Sequence, residues 1–130
     1  MPEQTTANPA PGFAKKPDYK IILKPVERRM KVWLGCVAIA ESENVLVMRE
    51  GDYPPVYYFP RADVNMELLT ATDHDTYCPF KGEASYWTIE AGDRAEENAA
   101  WSYDSPYDEM ARIKNYIAFY EDRVKLEVTA

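Results

Sequence analysis

Thr72-Asp73-His74-Asp75-Thr76-Tyr77-Cys78-Pro79-Phe80-Lys81-Gly82-Glu83-Ala84-Ser85-Tyr86-Trp87 is the stretch on which the reading of this 130-residue chain turns. Pro79 fixes its own φ and pushes Cys78 toward an extended backbone. Gly82 tolerates a positive φ or a close backbone approach. Cys78 to Gly82 is therefore a constrained turn, and the β-forming run Ser85-Tyr86-Trp87-Thr88-Ile89 predicts a strand starting near Ala84. Upstream, His74 between Asp73 and Asp75 reads as a solvated loop residue. A stiff turn beside a sheet brings a thiol, an ammonium and a phenol together, so Cys78, Lys81 and Tyr86 are the first site candidates.

Each has a plainer reading beside the chemical one. Cys78 would serve as a nucleophile if Lys81 or His74 activated it, with His74 or Asp75 as base; otherwise it is a small structural thiol next to an exposed lysine. The one His and two Cys fall short of the four Cys/His ligands of a structural zinc; a metal would need a mixed site of Asp73, His74, Asp75 and Cys78, and none is expected. No cofactor motif is present, and there is no GxxxxGK[ST] phosphate loop.

Working outward, Met1 to about Pro17 is rich in Pro, Thr and Ala, lacks a hydrophobic period, and reads as a disordered or loosely docked arm. Residues 18–130 form one globular domain. Tyr19–Lys24 is a short strand. Met30–Ala40 is a longer strand or the first arm of a hairpin that turns at Glu41–Asn44 and returns along Val45–Arg49. Cys36 falls in this apolar run and is expected to be buried. Val56–Phe59 is a strand stopped by Pro60. Arg61 then either pairs with Asp63 or offers its planar fork to a carboxylate or phosphate. Val64–Ala71 is extended.

Beyond the central stretch, Ala91-Gly92-Asp93 turns the chain into a return strand, Ala95–Tyr103. Ser105 as N-cap, Pro106 at the first position and Asp108-Glu109 in the first turn predict a helix ending near Tyr116, with Met110, Ile113 and Ile117 on one face. Val124–Val128 alternates as a closing strand. The halves echo one another. Trp33 and Glu43-Asn44 match Trp87 and Glu97-Asn98 at an offset of 54, and Phe59, Val64 and Glu67 match Phe119, Val124 and Glu127 at an offset of 60.

The net charge of −7 is uneven: Met1–Lys31 carries seven Lys/Arg against three Asp/Glu, and the rest carries eight against nineteen. An acidic body argues against a duplex nucleic-acid partner, which needs a basic face. Two cysteines make no disulfide framework, no run reaches transmembrane length and no secretory leader pattern stands at the start, so a cytoplasmic protein with no membrane partner is expected.

Four blocks resemble a known family. They are Tyr58-Phe59-Pro60-Arg61-Ala62-Asp63-Val64, the segment Thr76–Trp87 quoted above, Glu97-Asn98-Ala99-Ala100-Trp101-Ser102-Tyr103, and Ala118-Phe119-Tyr120-Glu121-Asp122-Arg123-Val124. In this order, over roughly Met30 to Val128, they are similar to the bacterial domain-of-unknown-function 427 family. The resemblance implies a small single-domain bacterial protein and no settled activity. The nucleotidyltransferase label the family has at times carried finds no support in Asp73-x-Asp75, which lacks an upstream Gly-Ser.

The expected fold is α+β and mainly β: a curled antiparallel sheet or small barrel-like sandwich with one short helix and two similar halves. The expected function is a small-molecule pocket, binding or catalytic, around Cys78, Lys81 and Tyr86. Thr76, Arg61 and Trp101 are the further ligand-binding candidates. Lys81 and Arg61 would draw an anionic ligand, and Tyr86 and Trp101 would stack on a flat or sugar-like moiety. Replacing Lys81 by Ala is then expected to abolish binding and leave thermal stability nearly unchanged. The alternative is a non-catalytic protein-interaction module or homodimer.

Overall fold

A computed structural model describes residues 7–129. Ten strands form two antiparallel sheets: β1 (Ile21–Pro25), β2 (Arg29–Leu34), β3 (Val37–Ser42), β4 (Leu46–Glu50), β5 (Val56–Pro60), β6 (Leu69–Cys78), β7 (Gly82–Ala91), β8 (Arg94–Ser102), β9 (Tyr116–Phe119) and β10 (Lys125–Thr129). The large sheet has the order β1-β4-β5-β9-β8-β7-β6, the small one β10-β2-β3, and neither closes into a barrel. The mainly-β expectation holds. Among the described residues no helix is long and apolar enough to cross a membrane.

Side-chain alternation gives the large sheet two different faces. Phe59, Ile89, Ile117 and Phe119 point to one, where Met30, Val32, Leu34 and Ile39 of the small sheet cover them in a dry core. Tyr58, Tyr86, Met48 and Ala118 point to the other. That second face is closed only in part, by Met110 and Ile113.

Several local expectations need correcting. The first hairpin turns at Gly35, with φ 61°, so Met30–Ala40 is two strands and Cys36 is exposed in the turn rather than buried. Strand β4 does not return along β3. The chain bends at Glu43–Val45 and crosses to the large sheet, where β4 pairs with β1 and β5. The stretch Asp73-His74-Asp75 lies in strand β6, at an irregularity in its pairing with β7 between Ala71 and Asp75, not in a loop. A 3-10 turn, Met66–Leu68, interrupts the extended approach to β6.

The helix expected from Ser105 is a 3-10 segment, Asp108–Ile113, kinked at Met110 and starting after Tyr107. The Tyr107 amide donates to the Lys81 carbonyl at 3.0 Å, holding the chain extended past the Ser105 cap position. Asn115, at φ 63°, ends the segment, and Ile117 belongs to β9.

Met1 to Thr6 of the arm lie outside the described residues. From Asn8 the arm is tied down. Asn8 and Asp108 exchange two hydrogen bonds, and Ala10 N donates to Glu109. The only described α-helix, α1 (Pro11–Lys15), sits against the Cys78–Gly82 turn. Gly12 donates to the Pro79 carbonyl at 2.9 Å, and a Cβ there would come within 2.7 Å of the Phe80 ring. Phe13 and Tyr19 pack on the same ring.

With β3 and β4 counted as one bent strand, the neighbours run β10-β2-β3/β4-β5-β9-β8-β7-β6. This order is symmetric about the β5–β9 pair. The last strand of each half crosses over: β6 pairs with β7, and β10 with β2. Tyr58 faces Ala118 and Phe59 faces Ile117, the register that a two-fold through Tyr58–Ala118 requires for residues corresponding at an offset of 60. The offset of 54 finds no such match. The hairpin glycines Gly35 and Gly92, at φ 61° and 62°, correspond at 57 (92 − 35).

Candidate functional site

The Cys78–Gly82 turn forms as its residues dictate. Strand β6 ends at Cys78, the Lys81 amide closes the turn on the Cys78 carbonyl at 3.2 Å, and Gly82 opens β7 at φ 116°. This geometry aims Lys81 inward. Its ammonium donates to Glu50 Oε1 at 2.6 Å, and both side chains are largely buried, at 11% and 17% exposure. Nζ also lies 3.9 Å from Cys78 Sγ. The second Glu50 oxygen accepts from the Tyr19 hydroxyl. That hydrogen bond, followed by burial, raises the Tyr19 pKa well above the usual phenol range. Tyr19 just after the arm, β4 and the turn thus meet at one buried ion pair.

Glu50 sits where two connected chambers join. An inner chamber of about 200 Å³ is lined by Lys81, Tyr58, Tyr86 and Tyr103, among others. An outer one of about 660 Å³ is open to solvent, with Pro55 and Glu121 in its walls. Glu50, Tyr53, Pro54, Val56, Trp101 and Tyr120 belong to both, so the two form one cleft. Burial pushes the Tyr58 and Tyr103 phenols up, and burial with the Tyr86 hydroxyl pushes Tyr120 up to about 12. Three of the phenols that wall the cleft, Tyr58, Tyr103 and Tyr120, thus hold their protons to higher pH than a free phenol.

The proposed site residues divide by strand parity. Tyr86 and Trp101 are cross-strand partners on the cleft face. Thr76 hydrogen-bonds the Tyr86 hydroxyl at 3.0 Å and so positions it. The His74 ring stands edge-on to Tyr86, with centroids 4.5 Å apart. Cys78 is half-buried beside Lys81 and lines neither chamber. Arg61 is not at the cleft: its guanidinium lies over Trp87 at 4.9 Å, and Trp87 packs toward the dry core. Asp63 accepts from Ser42 Oγ at 2.6 Å instead of pairing with Arg61.

Sequence reasoning did not find Glu50, Tyr19, Tyr53 or Tyr120. Glu50 ends an ordinary strand 31 residues from Lys81, and no local pattern links the two. Among the described residues no group of His, Cys, Asp and Glu is arranged to hold a metal ion.

The model of the family described as "Domain of unknown function (DUF427)" matches residues 22–130. The chain belongs to this family. The match takes in every strand from β2 to β10 and leaves Tyr19 and the arm outside it. No curated protein matches the chain.

Proposed function

We propose that this member of the DUF427 family binds a small organic molecule in the two-chambered cleft. The observation that carries this reading is the joining of an open aromatic chamber to a polar inner one at the buried Glu50–Lys81 pair. Ligand sites are typically concave and mostly apolar, with a few fixed polar groups at one end, and this cleft has that composition. A flat ring stacks on Trp101 and Tyr120, whose own rings lie 4.5 Å apart, and a polar end reaches the pair and the Tyr86 hydroxyl. The reading is of binding rather than nucleophilic chemistry, because Cys78 offers the cleft no thiol. Two free thiols, Cys36 and Cys78, go with a reducing bacterial cytoplasm.

The pull on an anion expected from Lys81 and Arg61 is absent from this reading. Glu50 neutralises the first and Trp87 holds the second elsewhere. A thermal-shift screen of uncharged, cationic and anionic ring compounds, with Trp101 fluorescence as a second readout, tests the site. A ligand at about 100 times its Kd stabilises by about 2.7 kcal/mol, which a melting curve resolves. A shift lost in Trp101→Leu supports the cleft. No shift with any compound defeats the reading and favours the interaction module.

A further inference from the structure

We propose that the cleft selects an organic cation: an ammonium group on a flat or short aliphatic body. This rests on the cleft being a small-molecule site and reverses the sign of the charge that the sequence suggested.

Three observations carry it. First, the charged side chains lining the two chambers are Glu50, Lys81 and Glu121, so the cleft holds one net negative charge. Lys81 is confined to the inner chamber and paired at 2.6 Å. Among the described residues no Lys, Arg or His lines the outer one. Second, Tyr53, Trp101 and Tyr120 line the outer chamber, and the negative quadrupole of an aromatic face attracts a cation within about 6 Å. Third, the chain has three tryptophans, and two already carry a cation of the protein's own. Lys31 lies over Trp33 at 5.5 Å and Arg61 over Trp87 at 4.9 Å. Among the described residues no Lys or Arg sits over Trp101, the tryptophan of the cleft, whose ring contacts are Tyr58 and Tyr120.

An ammonium in the outer chamber, which Trp101 and Tyr53 line together with Glu121 and Glu50, meets aromatic rings and two carboxylates. A carboxylate in the same place meets two carboxylates before it reaches Lys81. The long-range field acts in the same sense. Over the whole chain fifteen Lys/Arg stand against twenty-two Asp/Glu, an excess that concentrates cations at the surface.

The test uses three probes that share a ring and differ in charge: phenethylammonium, phenethyl alcohol and hydrocinnamate. Binding is measured by calorimetry and by tryptophan fluorescence, on the full chain and on Glu121→Gln, a change at an exposed position. The ammonium probe is expected to bind about tenfold more tightly than the alcohol, since a partly desolvated cation–aromatic contact has that size. In Glu121→Gln, and in high salt, that advantage shrinks by about threefold while alcohol binding stays constant. If the alcohol or the carboxylate binds as tightly as the ammonium, the cation assignment is overturned and the cleft reading survives. If no probe binds but the wider screen finds a cleft ligand without a cationic group, the result is the same. If nothing binds in either experiment, both readings fall.

Discussion

On one face of the large sheet Phe59, Ile89, Ile117 and Phe119 meet aliphatic side chains of the small sheet, and water is excluded. On the other, the same strands turn Tyr58, Tyr86 and Trp101 toward a cleft closed at one end by a buried ion pair. Adjacent residues serve opposite purposes: Tyr58 lines the cleft and Phe59 the core, and Tyr86 the cleft and Trp87 the core side. The first face holds the fold through apolar burial, which has no direction and little dependence on pH. The second depends on protons, hydrogen bonds and charge pairing. The two faces should therefore fail under different perturbations.

The largest effect is expected from alkali, which acts on several phenols at once. Tyr58, Tyr103, Tyr19 and Tyr120 all titrate above the ordinary phenol value of 10.0, Tyr120 at about 12. The folded chain therefore keeps protons that the unfolded chain has released. Stability is complete below about pH 10 and falls as the pH rises through 12 and beyond. Urea unfolding followed from neutral to strongly alkaline pH checks this. A midpoint that stays level above pH 10 would remove the distinction between the faces.

Next comes the dry face itself. Ile117→Ala should cost about 3 kcal/mol at any pH, because a fully buried aliphatic chain leaves a cavity. Denaturant unfolding measures it, and a loss confined to high pH would contradict the division.

A smaller loss, about 2 kcal/mol, is expected for Lys81→Ala, which strands the Glu50 carboxylate in a largely buried position. This replaces the expectation of an unchanged melting temperature, which took Lys81 to face a pocket and hold an anionic ligand, not a buried carboxylate of the protein itself. Lys81→Met combined with Glu50→Leu should recover most of the loss, since an apolar pair leaves no buried charge unmatched. Failure of the double change to recover stability would show Lys81 acting through something other than Glu50. The smallest effect, about 1 kcal/mol, belongs to Tyr19→Phe, which removes one hydrogen bond to Glu50 and keeps the Phe80 stack.

What the sequence disclosed follows from the range of the forces involved. Pro79, Gly82 and the run Ser85–Ile89 act on their own backbone, so the turn and β7 were legible, and with them Lys81 and Tyr86. The same holds for β5 before Pro60 and for alternating β10. The crossing of β4 to the second sheet was not legible, because burial, not a local turn signal, makes it leave β3 and pair with β1 and β5. The 3-10 segment failed to become a helix for a similar reason: a hydrogen bond from Tyr107 to Lys81 outcompetes the cap that Ser105 offers. Arg61 was assigned to the cleft by residue type, and the side of the sheet it reaches is set by packing on Trp87.

The exchange of end strands between the halves bears on how the molecule is made. The β2–β3 hairpin receives its third strand only when β10 arrives, and Arg29 lies opposite Thr129 across a loop of nearly the whole described chain. A polypeptide emerging from its N-terminus therefore leaves the outer edge of β2 unpaired throughout synthesis of the second half. Closing so long a loop is slow, and unpaired strands left waiting invite wrong partners. Charged Arg29, Lys31 and Glu41 alternate along the waiting hairpin, and they act as its guard against neighbours until β10 is born.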